Sequence, residues 1–169
     1  MPSGSPGSGL RRRATASDAA LAGGLAAILS GVPSTTHAVA RGRDPLEAAL
    51  AAGTLVLPRE RRPALLLPAA TIVHLTLSIG WAFVLARVLP RRHTAAAATA
   101  AGLAIAALDL GVIGRRFPAI RALPLAPQIA DHLAYAWTVA AVLRARAPAR
   151  PRGGAWGARR RGAAPRGRP

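Results

Sequence analysis

Four side chains combine ionisable chemistry with apolar surroundings: His74, Asp109, Asp131 and His132. An imidazole or carboxylate deep in hydrocarbon is costly unless partnered, so such groups belong in a bundle interior and mark ion or proton pathways. Asp109 is the sharpest case. Inside a bilayer its carboxylate must be protonated, paired with a cation, or wet. Arg116, seven residues on, shares its helical face, so an ion pair near the membrane surface is the structural alternative to proton handling. Asp131 and His132 open the last apolar stretch, where helix dipole and free amides favour a carboxylate, and Asp131 reads as a cap. His37, His74, Asp109 and His132 would together supply enough ligands for zinc, but no spacing of the HExxH kind supports a metal site. Gly-rich nucleotide loops, Ser-His-Asp spacing and paired catalytic carboxylates are missing. No catalytic residue, cofactor or metal is assigned, and the expectation is a protein that is not an enzyme, with an intramembrane metal hydrolase as the minor alternative.

The elements that must position these groups are apolar stretches separated by clusters of charge. Of 169 residues, 51% are hydrophobic and 42 are Ala, only 4% are aromatic, and the formal net charge is +17. A soluble core of this size needs large side chains, whereas apolar runs bounded by Arg clusters describe a polytopic membrane protein. All 23 basic residues are Arg, so part of the charge reflects an Arg- and Ala-rich composition rather than a basic partner. With no Cys, disulfides and thiolate chemistry are excluded. The expected fold is all-α: a membrane helix bundle of about four transmembrane helices, at about 19–40, 64–89, 95–113 and 129–143. Residues 1–17 and 146–169 are expected to be disordered tails. Spans two and three, joined by a short turn, should form an antiparallel hairpin. Asp44, Pro45 and Glu47 form a capping-box pattern for a short helix over 45–53, too short to cross and therefore interfacial.

Within the first span, Gly23, Ala27, Gly31 and Thr35 recur every four residues as a small-residue stripe for helix packing. Pro33 predicts a kink near Gly31, with Ser30 or Ser34 compensating freed carbonyls. His74, Ser78, Ala82 and Ala86 share one face of the second span, which should turn His74 inward. Arg87 can snorkel, and Tyr135 and Trp137 suit an interfacial belt.

Counting Arg in the flanks gives fifteen on the side of both termini and eight on the other, which predicts a multi-pass cell-membrane protein with both termini cytoplasmic. A cleaved signal peptide is the competing reading of the N-terminus, because Arg11–Arg13, the run 19–32 and Ala38-Val39-Ala40 match its three regions. The lipid bilayer is one expected partner. The Arg-rich C-terminal tail, with Trp156 among its charges, should meet anionic lipid headgroups. Nucleic acid is the rejected alternative for that tail, since lipid contact needs only the proximity that the preceding span provides. A membrane-protein partner or a homo-oligomer is also expected.

Ser30–Ala38 (SGVPSTTHA), Arg43–Gly53 (RDPLEAALAAG) and Ala107–His132 resemble a family of small multi-span membrane proteins of high-GC actinobacteria. The resemblance covers roughly residues 20–145. No established activity comes with that family, so the resemblance implies an uncleaved integral membrane protein and transfers no catalytic residue. Two functional readings follow from the residues. The first is a non-enzymatic accessory or structural membrane component. The second is a small proton-coupled transporter or channel using the intramembrane His and Asp residues.

Overall fold

The computed structural model describes residues 14–90 and 94–147, and regular structure among them is helical, with no strand. The expectations for 1–13, 91–93 and 148–169, including Trp156 and most of both tails, lie outside the described residues. Helix α1 (Ala16–Leu29) starts inside the expected tail. Thr15 and Asp18 are the cause: the Thr15 hydroxyl accepts the Asp18 amide at 3.1 Å, and the Asp18 carboxylate accepts the Thr15 amide at 3.0 Å. That reciprocal cap satisfies two amides the helix cannot. The chain turns at Ser30–Gly31 and resumes as α2 (Val32–Ala40), with Pro33 in its first turn and the Ser34 hydroxyl donating to the Gly31 carbonyl at 3.2 Å.

Helix α3 (Glu47–Gly53) is shorter than expected and is not closed by a capping box. Asp44 Oδ1 accepts the Leu46 amide at 2.8 Å, while Glu47 turns to Arg43 at 2.9 Å. A guanidinium four residues back competes successfully for the carboxylate. The loop into α4 (Pro63–Val88) is organised by Glu60, which accepts both the Arg61 and Arg62 amides and pairs with the Arg62 guanidinium at 2.9 Å. Helix α5 (Thr94–Leu108) runs on through a π-helical turn (Asp109–Ile113) and a 3-10 turn (Gly114–Arg116). A four-residue α6 (Pro118–Arg121) then leads to α7 (Leu125–Arg146).

Three helical stretches among the described residues are long and apolar enough to cross a membrane: Ala16–Ala40, Pro63–Val88 and Thr94–Arg116. The fourth expected span lies within α7, which has the length, at 22 residues, but carries Gln128, Asp131, His132, Arg144 and Arg146. Its placement explains the polarity. α7 packs against α1, α2, α4 and α5, and between Pro127 and Ala140 only Trp137 is exposed. A helix sheathed by others need not be apolar all round.

Side chains are sorted by size. The core is Ala22, Ala26, Ala82, Ala98, Ala136 and Ala140 with Leu85, Ile105, Tyr135 and Val139, whereas Ile28 is 75% and Ile72 67% exposed. Lipid tails are as apolar as Leu, so bulky residues lose nothing by facing outward and helix backbones gain by close packing. Glycines mark the closest approaches. A Cβ on Gly23 would sit 2.8 Å from Ile79 Cα of α4, and one on Gly102 would sit 2.9 Å from the His132 carbonyl of α7. Gly53 packs its backbone against Leu66 of α4 in the same way. These seams pair α1 with α4 and α5 with α7, so the expected α4–α5 hairpin gives way to an arrangement in which α5 packs on α7.

Candidate functional site

On α7, Gln128, Asp131, His132 and Tyr135 stand at i, i+3, i+4 and i+7, one polar stripe on a helix that is otherwise apolar up to Leu143 except for Thr138. The stripe lines a cavity of about 420 Å³. Ser30 approaches it from the turn after α1 and Ser34 from α2, His74, Ser78 and Trp81 from α4, and Asp109 from the π turn, while α3 and α6 wall its loop end. His74, Asp109, Asp131 and His132 are therefore neighbours of one space although they come from three segments. His37 is not among the lining residues. No group of three metal-ligating side chains occurs among the described residues.

Asp109 does not meet Arg116. The π turn, closed by a Gly114 amide bonding back to the Asp109 carbonyl, slips the helical phase between them, and Arg116 is exposed. Asp109 Oδ2 instead lies 3.3 Å from His132 Nε2. The other ring nitrogen, Nδ1, lies 2.7 Å from the Gln128 backbone carbonyl. A carbonyl only accepts, so Nδ1 carries a proton. A proton held between Nε2 and Oδ2 would bridge them, either on the imidazole, as an imidazolium–carboxylate pair, or on the acid, as a neutral pair. The pair is electrically neutral both ways.

Asp131 is a cap, but not of its own helix. α7 begins at Leu125, six residues earlier, and Asp131 Oδ1 instead accepts the Ser34 amide at 2.9 Å. Gly31, at the start of α2, offers no side-chain cap, so α7 supplies in trans the acceptor that the α2 amides need.

His74 is exposed although it borders the cavity. Its Nε2 lies 2.9 Å from the Ala27 carbonyl. Ala27 is in the last turn of α1, where the break at Ser30–Gly31 leaves carbonyls without helical donors, and the imidazole closes the α1–α4 seam there. The packing stripe is redrawn by the same break. Gly23 is buried against α4 and Ala27 stays at the seam, but Gly31 meets nothing within 4 Å of a would-be Cβ and Thr35 is exposed. Tyr135 is not a belt residue either: it is buried, and its hydroxyl donates to the Ser78 carbonyl. Trp137 does face outward, 54% exposed, with its indole N–H on Thr99 Oγ1 at 3.0 Å.

Gln128 was not singled out by sequence reasoning and Tyr135 was read only as a belt residue, although the i, i+3, i+4, i+7 spacing with Asp131 and His132 was the available signal. At the opposite end of the bundle Arg146 Nε reaches Asp18 Oδ1 at 3.0 Å, tying the end of α7 to the start of α1. Compared with protein-family models, with curated proteins and with solved structures, the chain finds no match in any of the three.

Proposed function

We propose that the chain is a non-enzymatic multi-pass protein of the cell membrane, both termini cytoplasmic, in which the cavity couples movement of a small solute to movement of a proton. One observation carries the reading: Asp109 Oδ2 and His132 Nε2 stand 3.3 Å apart on the wall of a cavity of about 420 Å³. A proton moving from Oδ2 to Nε2 turns acid and imidazole into carboxylate and imidazolium without changing the net charge, so relay inside a low-dielectric bundle avoids creating an isolated ion. Asp109 also begins the π turn, a local distortion of the kind that recurs at functional sites and leaves the backbone ready to shift.

The test is proton flux in proteoliposomes containing a trapped pH dye. The full chain should give a pH-dependent flux that Asp109→Asn abolishes while the variant remains monodisperse and helical. Absence of flux in the unaltered protein, or flux undiminished in Asp109→Asn, overturns the reading. Modification by impermeant thiol reagents of a cysteine placed near Arg146 would reverse the orientation. An accessory or structural role is the second reading, favoured by the bulky residues that face outward, which offer a partner or second copy an apolar surface.

A further inference from the structure

We infer that the ligand of the cavity is a small lipophilic cation, an amine or quaternary ammonium group on an apolar body, held by the Asp131 carboxylate. The inference rests on the proposed use of the cavity as a solute site.

Charge on the cavity wall sets the argument. Six carboxylates occur in the chain, all within the described residues. Asp18, Glu47, Glu60 and Asp109 each have a basic side chain within ion-pair distance. Asp44 is exposed in a loop, bonded to the Leu46 amide. Asp131 is the one carboxylate that lines the cavity without an ion-pair partner among the described residues. Its Oδ1 is engaged by the Ser34 amide, and the carboxylate borders the cavity. Asp109 is faced by His132 at 3.3 Å, and His74 Nε2 donates to the Ala27 carbonyl at 2.9 Å. Asp131, when ionised, therefore puts a negative charge without an ion-pair partner on the cavity wall.

The remaining wall selects the rest of the molecule. Leu77, Ile105, Leu110, Ile113 and Leu123 are apolar, and Trp81 offers an indole to a cation. The volume is that of a small-molecule site. An anion would be repelled by ionised Asp131, and a sugar would leave most of its hydroxyls against alkyl side chains.

Cation and proton compete for the same carboxylate, so acid should weaken binding. The titratable groups facing Asp131 are His74 from α4, Asp109 from the π turn, and His132 and Tyr135 from α7 itself; α1, α2, α3 and α6 contribute none to the wall. Protonation of either imidazole adds positive charge and acts in the same direction.

The experiment is equilibrium binding to the full chain in lipid nanodiscs, with benzyltrimethylammonium as probe, its uncharged carbon isostere neopentylbenzene, and the anion phenylacetate. The cation should bind at least about tenfold tighter than the isostere, phenylacetate should not compete, and affinity should fall with pH. Asp131→Asn keeps an acceptor for the Ser34 amide while removing the charge, and should erase the preference; Asp131→Glu should retain it. Equal affinity for cation and isostere, preference for phenylacetate, or preference surviving in Asp131→Asn overturns the inference. The isostere comparison uses unaltered protein and decides the matter even if a variant fails to fold. Cation preference without proton flux refutes only the proposed coupling, whereas flux without cation preference refutes only the ligand class.

Discussion

Two adjacent glycines in α1 should respond to alanine with opposite signs. A Cβ at Gly23 would lie 2.8 Å from Ile79 Cα, 2.9 Å from the Ser78 carbonyl oxygen and 3.0 Å from Ala82 Cβ, whereas one at Gly24 meets nothing within 4 Å. Non-bonded carbons rest at about 3.5–4.0 Å, so Gly23→Ala must open the α1–α4 seam by on the order of 0.7 Å. Overpacking of this kind costs about 1–3 kcal/mol. Against it stands the helix preference of Ala over Gly, about 1 kcal/mol, leaving a net loss of about 0–2 kcal/mol. Gly24→Ala has only the favourable part and should stabilise by up to about 1 kcal/mol. The two variants should therefore differ by about 1–3 kcal/mol, roughly five- to 150-fold in the unfolding equilibrium. Reversible unfolding by SDS in mixed micelles, followed by far-UV circular dichroism, measures this directly. If Gly24→Ala destabilises as much as Gly23→Ala, the face that α1 presents to α4 has been misassigned.

Three further outcomes are expected. Asp131→Ala removes the cap that α7 lends to α2 and should cost about 0.5–2 kcal/mol in the same unfolding assay, with Asp131→Asn close to the unaltered protein because its amide oxygen still accepts the Ser34 amide. Tyr135→Phe leaves the ring packed but loses the bond to the Ser78 carbonyl, for about 0.5–1.5 kcal/mol. In the loop before α4, the Arg62 side chain, then the Arg62 and Arg61 amides, hold the Glu60 carboxyl down to about 2 from an ordinary 4.5. Because the folded value is the lower one, the stability this group contributes is complete above 4.5 and disappears as pH falls from there toward 2. Carboxyl carbon NMR in micelles should place its midpoint near 2, and Glu60→Gln should flatten that part of the stability profile; a midpoint near 4.5 would break the Glu60–Arg62 assignment.

Helices and their interruption were legible in the sequence because each depends on residues close together in the chain. Apolar runs between Arg clusters mark the crossings, and Pro33 marks the break between α1 and α2. Partner choice was not legible in the same way. A four-residue repeat of small residues makes Gly31 and Thr35 look equivalent to Gly23, but the turn at Ser30–Gly31 rotates everything beyond it away from α4. Arg116 looked like the partner of Asp109 because seven residues return to one face of an α-helix, and the π turn voids that count. Asp131 was read as a cap on chemical grounds that hold, yet the helix it caps lies 97 positions away, a relation that local spacing does not contain.

The polar stripe and the marginal apolarity of α7 have one origin. Gln128, Asp131, His132 and Tyr135 make α7 a poor membrane crossing by composition, and these are the residues it turns toward the cavity. A single helix with such a face would insert weakly, because a carboxylate and an imidazole would meet lipid. Enclosure by α1, α2, α4 and α5 removes that cost by giving each group a partner: Ser34 for Asp131, Asp109 and Gln128 for His132, Ser78 for Tyr135. Enclosure in turn requires thin helices, and Ala22, Ala26, Ala98, Gly23 and Gly102 supply the thin faces. The abundance of alanine, which by itself argues against a soluble core, is thus the condition under which a polar helix can stand at the centre of this bundle and line a cavity there.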